Sequence, residues 1–155
     1  MNNKFYHAWQ YENLSEEDKE QCEFRSCMYI WMFSINDIVY YGRNWSEFKF
    51  FIDTIYSYIP EHKICFIHNL AFEFQYLKSV LHFSVVMARK AHKVMKAVCD
   101  TYNFEFRCSL FLTNCALKYI PTTYNLPVEK MVGDLDYNKI RHSKTKLTKK
   151  ELRLL

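Results

Sequence analysis

Residues 63 to 77 read KICFIHNLAFEFQYL, and the way this run folds decides the architecture of the chain. Its first five residues are apolar or β-favouring and short enough for a strand. From Phe72 onward, Phe72, Phe74, Tyr76, Leu77 and Leu81 fill one broad helical face. The run therefore predicts a strand over 63–67 followed at once by a helix. The carboxyl end of such a strand and the amino end of its helix form the crevice where open α/β sheets place ligands. Glu73 falls in the first helical turn, where its carboxylate can face a cation or simply complement the helix dipole. Asn69 falls where an N-cap belongs, and taken alone residues 68–77 favour the cap and the dipole. His68 reads as an interior histidine with its hydrogen bonds satisfied.

Working outward, FYHAWQY at 5–11 predicts a first strand, and the acidic stretch at 12–23 a loop. CMYIWMFSI at 27–35 and DIVYYG at 37–42 predict a hairpin with its turn at Asn36-Asp37. Asn44 and Glu47 suit a loose capping box, and Phe48, Phe51, Ile52, Ile55 and Ile59 then recur at helical spacing up to Pro60. Beyond the opening run, VVMARKAHKVMKAVC at 85–99 has two β-prone arms around a polar centre, and FEFRC at 104–108 adds a strand. SLFLTNCALKYI at 109–120 has helical spacing that Pro121 should end. After Pro127 the chain turns polar and basic, and LTKKELRLL predicts a final helix capped by Thr148. With two glycines in the chain, Gly42 and Gly133 are the natural turn markers. The resulting order, β, ββ, α, β, α, a hairpin, β and α, predicts an α/β fold with a mixed sheet flanked by helices and a β-hairpin insertion.

At 155 residues, half of them hydrophobic and 18% aromatic, the chain predicts one packed domain over 1–155 rather than a disordered segment. The longest apolar run, MYIWMFSI, is far below the roughly 18 residues a membrane span needs, and no signal-like segment opens the chain. A cytoplasmic protein that does not engage membranes is expected, in the host cytoplasm if a phage encodes it. The six cysteines form no CxxC pair, which favours reduced thiols over zinc or disulfides. Net charge is only +4 but unevenly spread. Residues 12–23 carry six acids (Glu12, Glu16, Glu17, Asp18, Glu20, Glu23) against Lys19. Residues 139–153 carry seven bases (Lys139, Arg141, Lys144, Lys146, Lys149, Lys150, Arg153) against Glu151. Two solvated faces would give the same pattern, but so would a nucleic-acid surface or a partner that reads both patches.

Three motifs carry a family resemblance. HNLAFE at 68–73 resembles the His-Asn-Leu-x-Phe-Asp exonuclease motif of the protein-primed family B DNA polymerases of bacteriophages, CSL at 108–110 resembles their Asp-Ser-Leu segment, and GDLDYNKIR at 133–141 resembles their Gly-Asp-Ile-Asp-Tyr-His-Lys segment. The resemblance covers the exonuclease domain alone, from about residue 5, and implies a ribonuclease-H-like 3′–5′ exonuclease fold. In that family four carboxylates hold two metal ions that clamp the attacking and leaving oxygens of the hydrolysed phosphodiester.

The chemical positions depart from the family pattern. WQYEN at 9–13 places Gln10 at the first Asp position, Glu12 at the Glu position and Asn13 where the family has Thr. A neutral amide cannot bridge two divalent cations as a carboxylate does. Glu73 stands for the third ligand with one methylene too many, Leu154 falls at the Tyr of the final Tyr-x-x-x-Asp motif, and the Asp itself is not reached. A family Lys is replaced by Val132, with Lys130 two residues away. The resemblance thus implies vestigial metal ligands at Glu12 and Glu73, no required cofactor, weak Mg or Mn binding at most, and lost catalysis. The strand-holding positions fare better: Asn69, Phe72, Ser109, Leu110 and Tyr137 match residues that contact single-stranded DNA in the family, where a ring stacks on a base without any metal. As side chains in their own right, Phe72 and Leu110 read as core rather than as ligands.

Two functional expectations follow, from different classes. One is an inactive exonuclease-like domain that still holds single-stranded nucleic acid. The other is a small phage or mobile-element protein that uses the fold to inhibit a nucleic-acid-binding host protein, such as a nuclease or CRISPR effector, with Glu16, Glu17, Asp18 and Glu20 imitating phosphates. A third account, a piece of a longer family B polymerase, leaves Gln10 and Val132 unexplained. No small-molecule cofactor is expected in any of them.

Overall fold

A computed structural model describes residues 8–22, 28–128, 136, 139–141 and 144–153. In chain order the elements are α1 (Ala8–Glu12), α2 (Glu16–Glu20), β1 (Trp31–Ile35), β2 (Ile38–Gly42), α3 (Trp45–Tyr58), β3 (Lys63–Ile67), α4 (Leu70–Leu77), β4 (Val85–Ala88), β5 (Val94–Cys99), β6 (Phe104–Cys108), α5 (Ser109–Thr113), α6 (Ile120–Thr123) and α7 (Lys149–Arg153), with single 3-10 turns at Asp100–Tyr102 and Leu117–Tyr119. The chain divides into two compact units, Met1–Asn44 with Gly133–Leu155, and Trp45–Val132. No helix among the described residues is long and apolar enough to cross a membrane.

The second unit holds the mixed four-stranded sheet, in the order β3-β6-β5-β4. β3 runs parallel to β6, and the remaining pairs are antiparallel. The strand and helix expected from KICFIHNLAFEFQYL are both present, at Lys63–Ile67 and Leu70–Leu77. Helix α4 packs against β5 and β6. Leu70, Leu77 and Leu81 are buried there, and a chain of aromatic contacts runs from Phe74 to Phe83 at 5.1 Å and on to Phe106 at 5.9 Å. Each fully buried side chain of this kind contributes about 1.5–3 kcal/mol. Helix α3 buries Phe48, Ile52 and Ile55, three of its five predicted apolar positions, and meets the Asp100–Tyr102 turn, where the Tyr102 hydroxyl donates to Asp53 Oδ1 at 2.7 Å.

Three of the predicted elements differ from those observed. The first strand is absent where it is described: residues 8–12 are helical, and 5–7 lie outside the described residues. AWQYE contains no β-branched residue, and its Ala, Gln and Glu are good helix formers, so only the two aromatics favoured a strand. The acidic loop contains a helical turn, because Ser15 Oγ caps α2 by accepting from the Asp18 amide at 3.2 Å. The single helix over 109–120 breaks after Thr113. Asn114 takes the left-handed conformation at φ 51°, and Pro121 lies in the first turn of α6 rather than ending a helix. Proline at that point loses no hydrogen bond, since first-turn amides lack an intrahelical acceptor.

In the first unit the predicted hairpin forms, with Trp31 opposite Gly42 and a turn in which Asn36 and Asp37 both have positive φ, 48° and 64°. That turn matches the right-handed twist of the strands. Gly42 does not mark a turn. It ends β2 beneath the Trp31 ring, where a Cβ would come within 2.5 Å of ring carbon. Arg43 anchors the neighbouring chain by donating from Nε to the Tyr29 carbonyl at 2.6 Å and from Nη2 to the Thr145 carbonyl at 2.8 Å. The predicted cap of α7 is present as a reciprocal pair: the Thr148 amide donates to Glu151 Oε2 at 2.7 Å, and the Glu151 amide donates to Thr148 Oγ1 at 3.2 Å.

Candidate functional site

Because β3 and β6 are parallel, their carboxyl ends lie side by side and each leads directly into a helix. Ile67 is opposite Cys108, so the residues that follow, His68 and Ser109, face each other, with His68 Nδ1 3.2 Å from Ser109 Oγ. His68 is therefore half-buried and partnered, as a histidine at this depth requires. Asn69 occupies the cap position of α4 in the left-handed conformation, φ 64° and ψ 51°, and its side chain makes no capping hydrogen bond. The simple cap expectation fails for this reason: a left-handed residue turns its side chain away from the first-turn amides. The amide of Asn69 is exposed at the mouth of the crevice instead.

Phe72, one helical turn from Asn69, is 58% exposed, with the Tyr76 ring tilted beside it at 5.6 Å. It does not belong to the core. Leu110 and Ser109 on α5 are half-buried. Glu73 stands in the first turn of α4, and partial desolvation raises the pKa of its carboxyl. The residue as a whole remains solvent-exposed, so water moderates that effect. The junction thus brings together His68, Asn69, Phe72, Glu73, Ser109 and Leu110. Such a set can hydrogen-bond a sugar or phosphate and offer a ring to a base.

The other expected ligands belong to the first unit or fall outside the described residues. Gln10 and Glu12 are on α1, in the first unit, and Asn13 follows with its amide donating to the Gln10 carbonyl at 3.2 Å. On a strand, residues two apart share a face. On a helix they diverge by about 200°, so Gln10 and Glu12 do not form a ligand pair here. Among the described residues, no three His, Cys, Asp or Glu side chains converge on a point that could hold a metal ion. Tyr137, Lys130, Val132 and Leu154 lie outside the described residues.

The charged patches are also reorganised. Glu16, Glu17, Asp18 and Glu20 are all exposed on α2, with Lys19 bonded to Glu16 at 2.8 Å. In the basic segment, Lys139 and Arg141 converge on buried Glu151 at 3.0 Å and 2.6 Å, so these two bases form an internal ion cluster. The Thr148 amide, then Arg141 and Lys139, hold the Glu151 carboxyl far below the usual carboxylate range. A second cluster was not foreseen. Glu105 on β6 is only 5% exposed and receives Lys96 Nζ at 2.9 Å and Arg107 Nε at 2.5 Å, with His62 Nε2 3.4 Å away. Lys96 and then Arg107 depress the Glu105 pKa to about 2. Its sequence signal was FEFR beside VMK: charges placed two apart within strands fall on one face. The five described cysteines are free thiols, and burial pushes Cys65 up to about 11. No family model, curated protein or solved structure matches this chain.

Proposed function

We propose that the chain is a catalytically silent 3′–5′ exonuclease-like domain, ribonuclease-H-like in ancestry, that holds single-stranded nucleic acid at the carboxyl ends of β3 and β6. The observation that carries this reading is the exposure of Phe72 beside the uncapped amide of Asn69. A large ring held in water next to a free hydrogen-bonding group fits base stacking with sugar or phosphate contact. His68 and Ser109 add polar atoms to the same mouth. Two-metal hydrolysis gains most of its rate from electrostatic stabilisation by bound cations. A neutral Gln10 in place of a carboxylate, on a helix where Glu12 does not share its face, supports loss of that chemistry.

A second reading, inhibition of a nucleic-acid-binding protein, is favoured by one feature: α2 displays four acids in five residues, all exposed. Complementary charge of this kind steers encounter with a basic surface. One set of measurements separates the readings. A labelled 3′ single strand should stay intact with magnesium or manganese, yet bind wild type in a salt-sensitive manner. Replacing Asn69 and Phe72 together with Ala should weaken binding by about 1–3 kcal/mol. Degradation of the strand that is lost in Glu12→Ala, Glu73→Ala protein would overturn catalytic silence. Unchanged affinity in the Asn69, Phe72 variant would remove the crevice reading. Changing Glu16, Glu17 and Glu20 to Lys should strengthen oligonucleotide binding by removing repulsion, whereas an inhibitor would lose its effect on its target.

A further inference from the structure

The register of the sheet places two rows of side chains across the face opposite α4. Phe66, Arg107, Lys96 and Met87 form one row, and Ile64, Glu105, Val98 and Val85 the other, each running through β3, β6, β5 and β4. Phe66 and Met87 are each 55% exposed, and Ile64 and Val85 are exposed as well. Arg107 donates to Glu105 through Nε, and its side chain is still 43% exposed. The face therefore offers an aromatic ring in line with two partly exposed cations that share one carboxylate, which leaves the group net positive.

At the rim of the same face stands the β4–β5 turn. Residues 85–99 contain Arg89, Lys90, Lys93, Lys96 and His92 and no acid. The turn is closed by backbone hydrogen bonds: the Arg89 amide donates to the Lys93 carbonyl at 3.1 Å, the Lys93 amide to the Lys90 carbonyl at 3.0 Å, and His92 has φ 57°. A register shift between Met87 and Ala88 bends the edge strand just before it, as bulges do where a strand is re-aimed. Arg89, Lys90, His92 and Lys93 are all exposed.

We infer that this uncovered sheet face, together with the basic β4–β5 turn, is a second nucleic-acid-binding surface that takes a single strand. A base stacks on Phe66, and phosphates meet Arg107, Lys96 and the cations of the turn. An open sheet with an exposed ring is a known way to hold splayed bases, because stacking on a π-face tolerates any sequence. Charge complementarity selects the occupant, since an acid-free run of four bases favours a polyanion. The inference stands independently of the β3–α4 crevice.

Fluorescence anisotropy with a labelled oligothymidine of about twelve nucleotides tests it. Changing Arg89, Lys90 and Lys93 together to Glu should lower affinity by roughly tenfold or more and flatten the dependence on salt. Phe66→Leu should lower affinity roughly tenfold and Phe66→Tyr should retain it, because only the latter keeps a stacking ring. If both the turn variant and Phe66→Leu bind like wild type while the Asn69, Phe72 double variant fails, the strand uses the crevice alone and the inference falls. The converse pattern upholds it and removes the crevice reading. Wild type that binds no single strand, or a duplex that competes as well as the single strand, also overturns the inference.

Discussion

On one face of the four-stranded sheet, Ala97, Cys99, Phe104, Phe106 and Cys108 are buried against the helical layer. On the other, Ile64, Phe66, Val85 and Met87 remain exposed, and the buried group at the centre is a carboxylate. The same strands build both faces, yet the first is stabilised by apolar burial and the second is organised by charge. Stability resides with the sealed face. A face sealed by α4 contributes to folding in proportion to the area it removes from water. A face left open contributes little to folding and keeps its ring and cations available for a partner.

The largest test of that contrast is Phe106→Ala. Phe106 is 1% exposed and touches Phe83 edge-on and Phe104 in a stacked arrangement. Removing it opens a cavity among rigid aromatic neighbours and should cost about 3–5 kcal/mol. Urea denaturation would show this as a large fall in midpoint, and a loss below about 1 kcal/mol would mean that the sealed face is not the core.

A smaller effect is expected from the carboxylate of the open face. Glu105 titrates at about 2 in the folded chain against an ordinary value of 4.5, so the unfolded chain takes up its proton first as pH falls. The stability it contributes is fully present above 4.5 and is lost as the pH drops toward 2. Glu151 has the same sign, so the informative quantity is the difference between wild type and Glu105→Gln. Urea midpoints measured through this window should fall less steeply with acid in Glu105→Gln. Parallel curves would show that Lys96 and Arg107 do not act on Glu105 in solution.

These contrasts also mark what the sequence could and could not disclose. The β3–α4 step was legible because a short apolar run passes into helical spacing at a polar pair, His68-Asn69. The final cap was legible because Thr148 and Glu151 stand three apart. The open face was not. KICFI and VVMA are apolar on both sides of the pleat apart from Lys63, and such runs read as strands buried on both faces; only Lys96 in VMKAVC and the charges of FEFRC mark the second face. Alternation carries no information when both phases are apolar. Nor could Asn69 be told from an ordinary cap, since its left-handed backbone is imposed by the junction rather than by its side chain. At 5–11, four aromatics suggested a strand, but where the segment is described the absence of β-branched residues let a helix form. The pairing expected of Gln10 and Glu12 disappears with that strand.

The smallest expected effect gives the sharpest test of the open face. Phe66 sits on an edge strand and exposes 55% of its surface, so its ring has few neighbours to lose. Phe66→Ser should change stability by no more than about 0.5 kcal/mol, the usual range for a surface position, and the midpoint should not depend on protein concentration. Ser retains the β-compatible backbone and introduces no charge, which isolates the ring. A cost of about 2 kcal/mol or more would require the ring to be covered in solution. A midpoint that then fell on dilution would identify the cover as a second copy of the chain. In that case the two faces would differ only in what seals them, helices on one side and another molecule on the other, and a strand of nucleic acid would have to compete for the place.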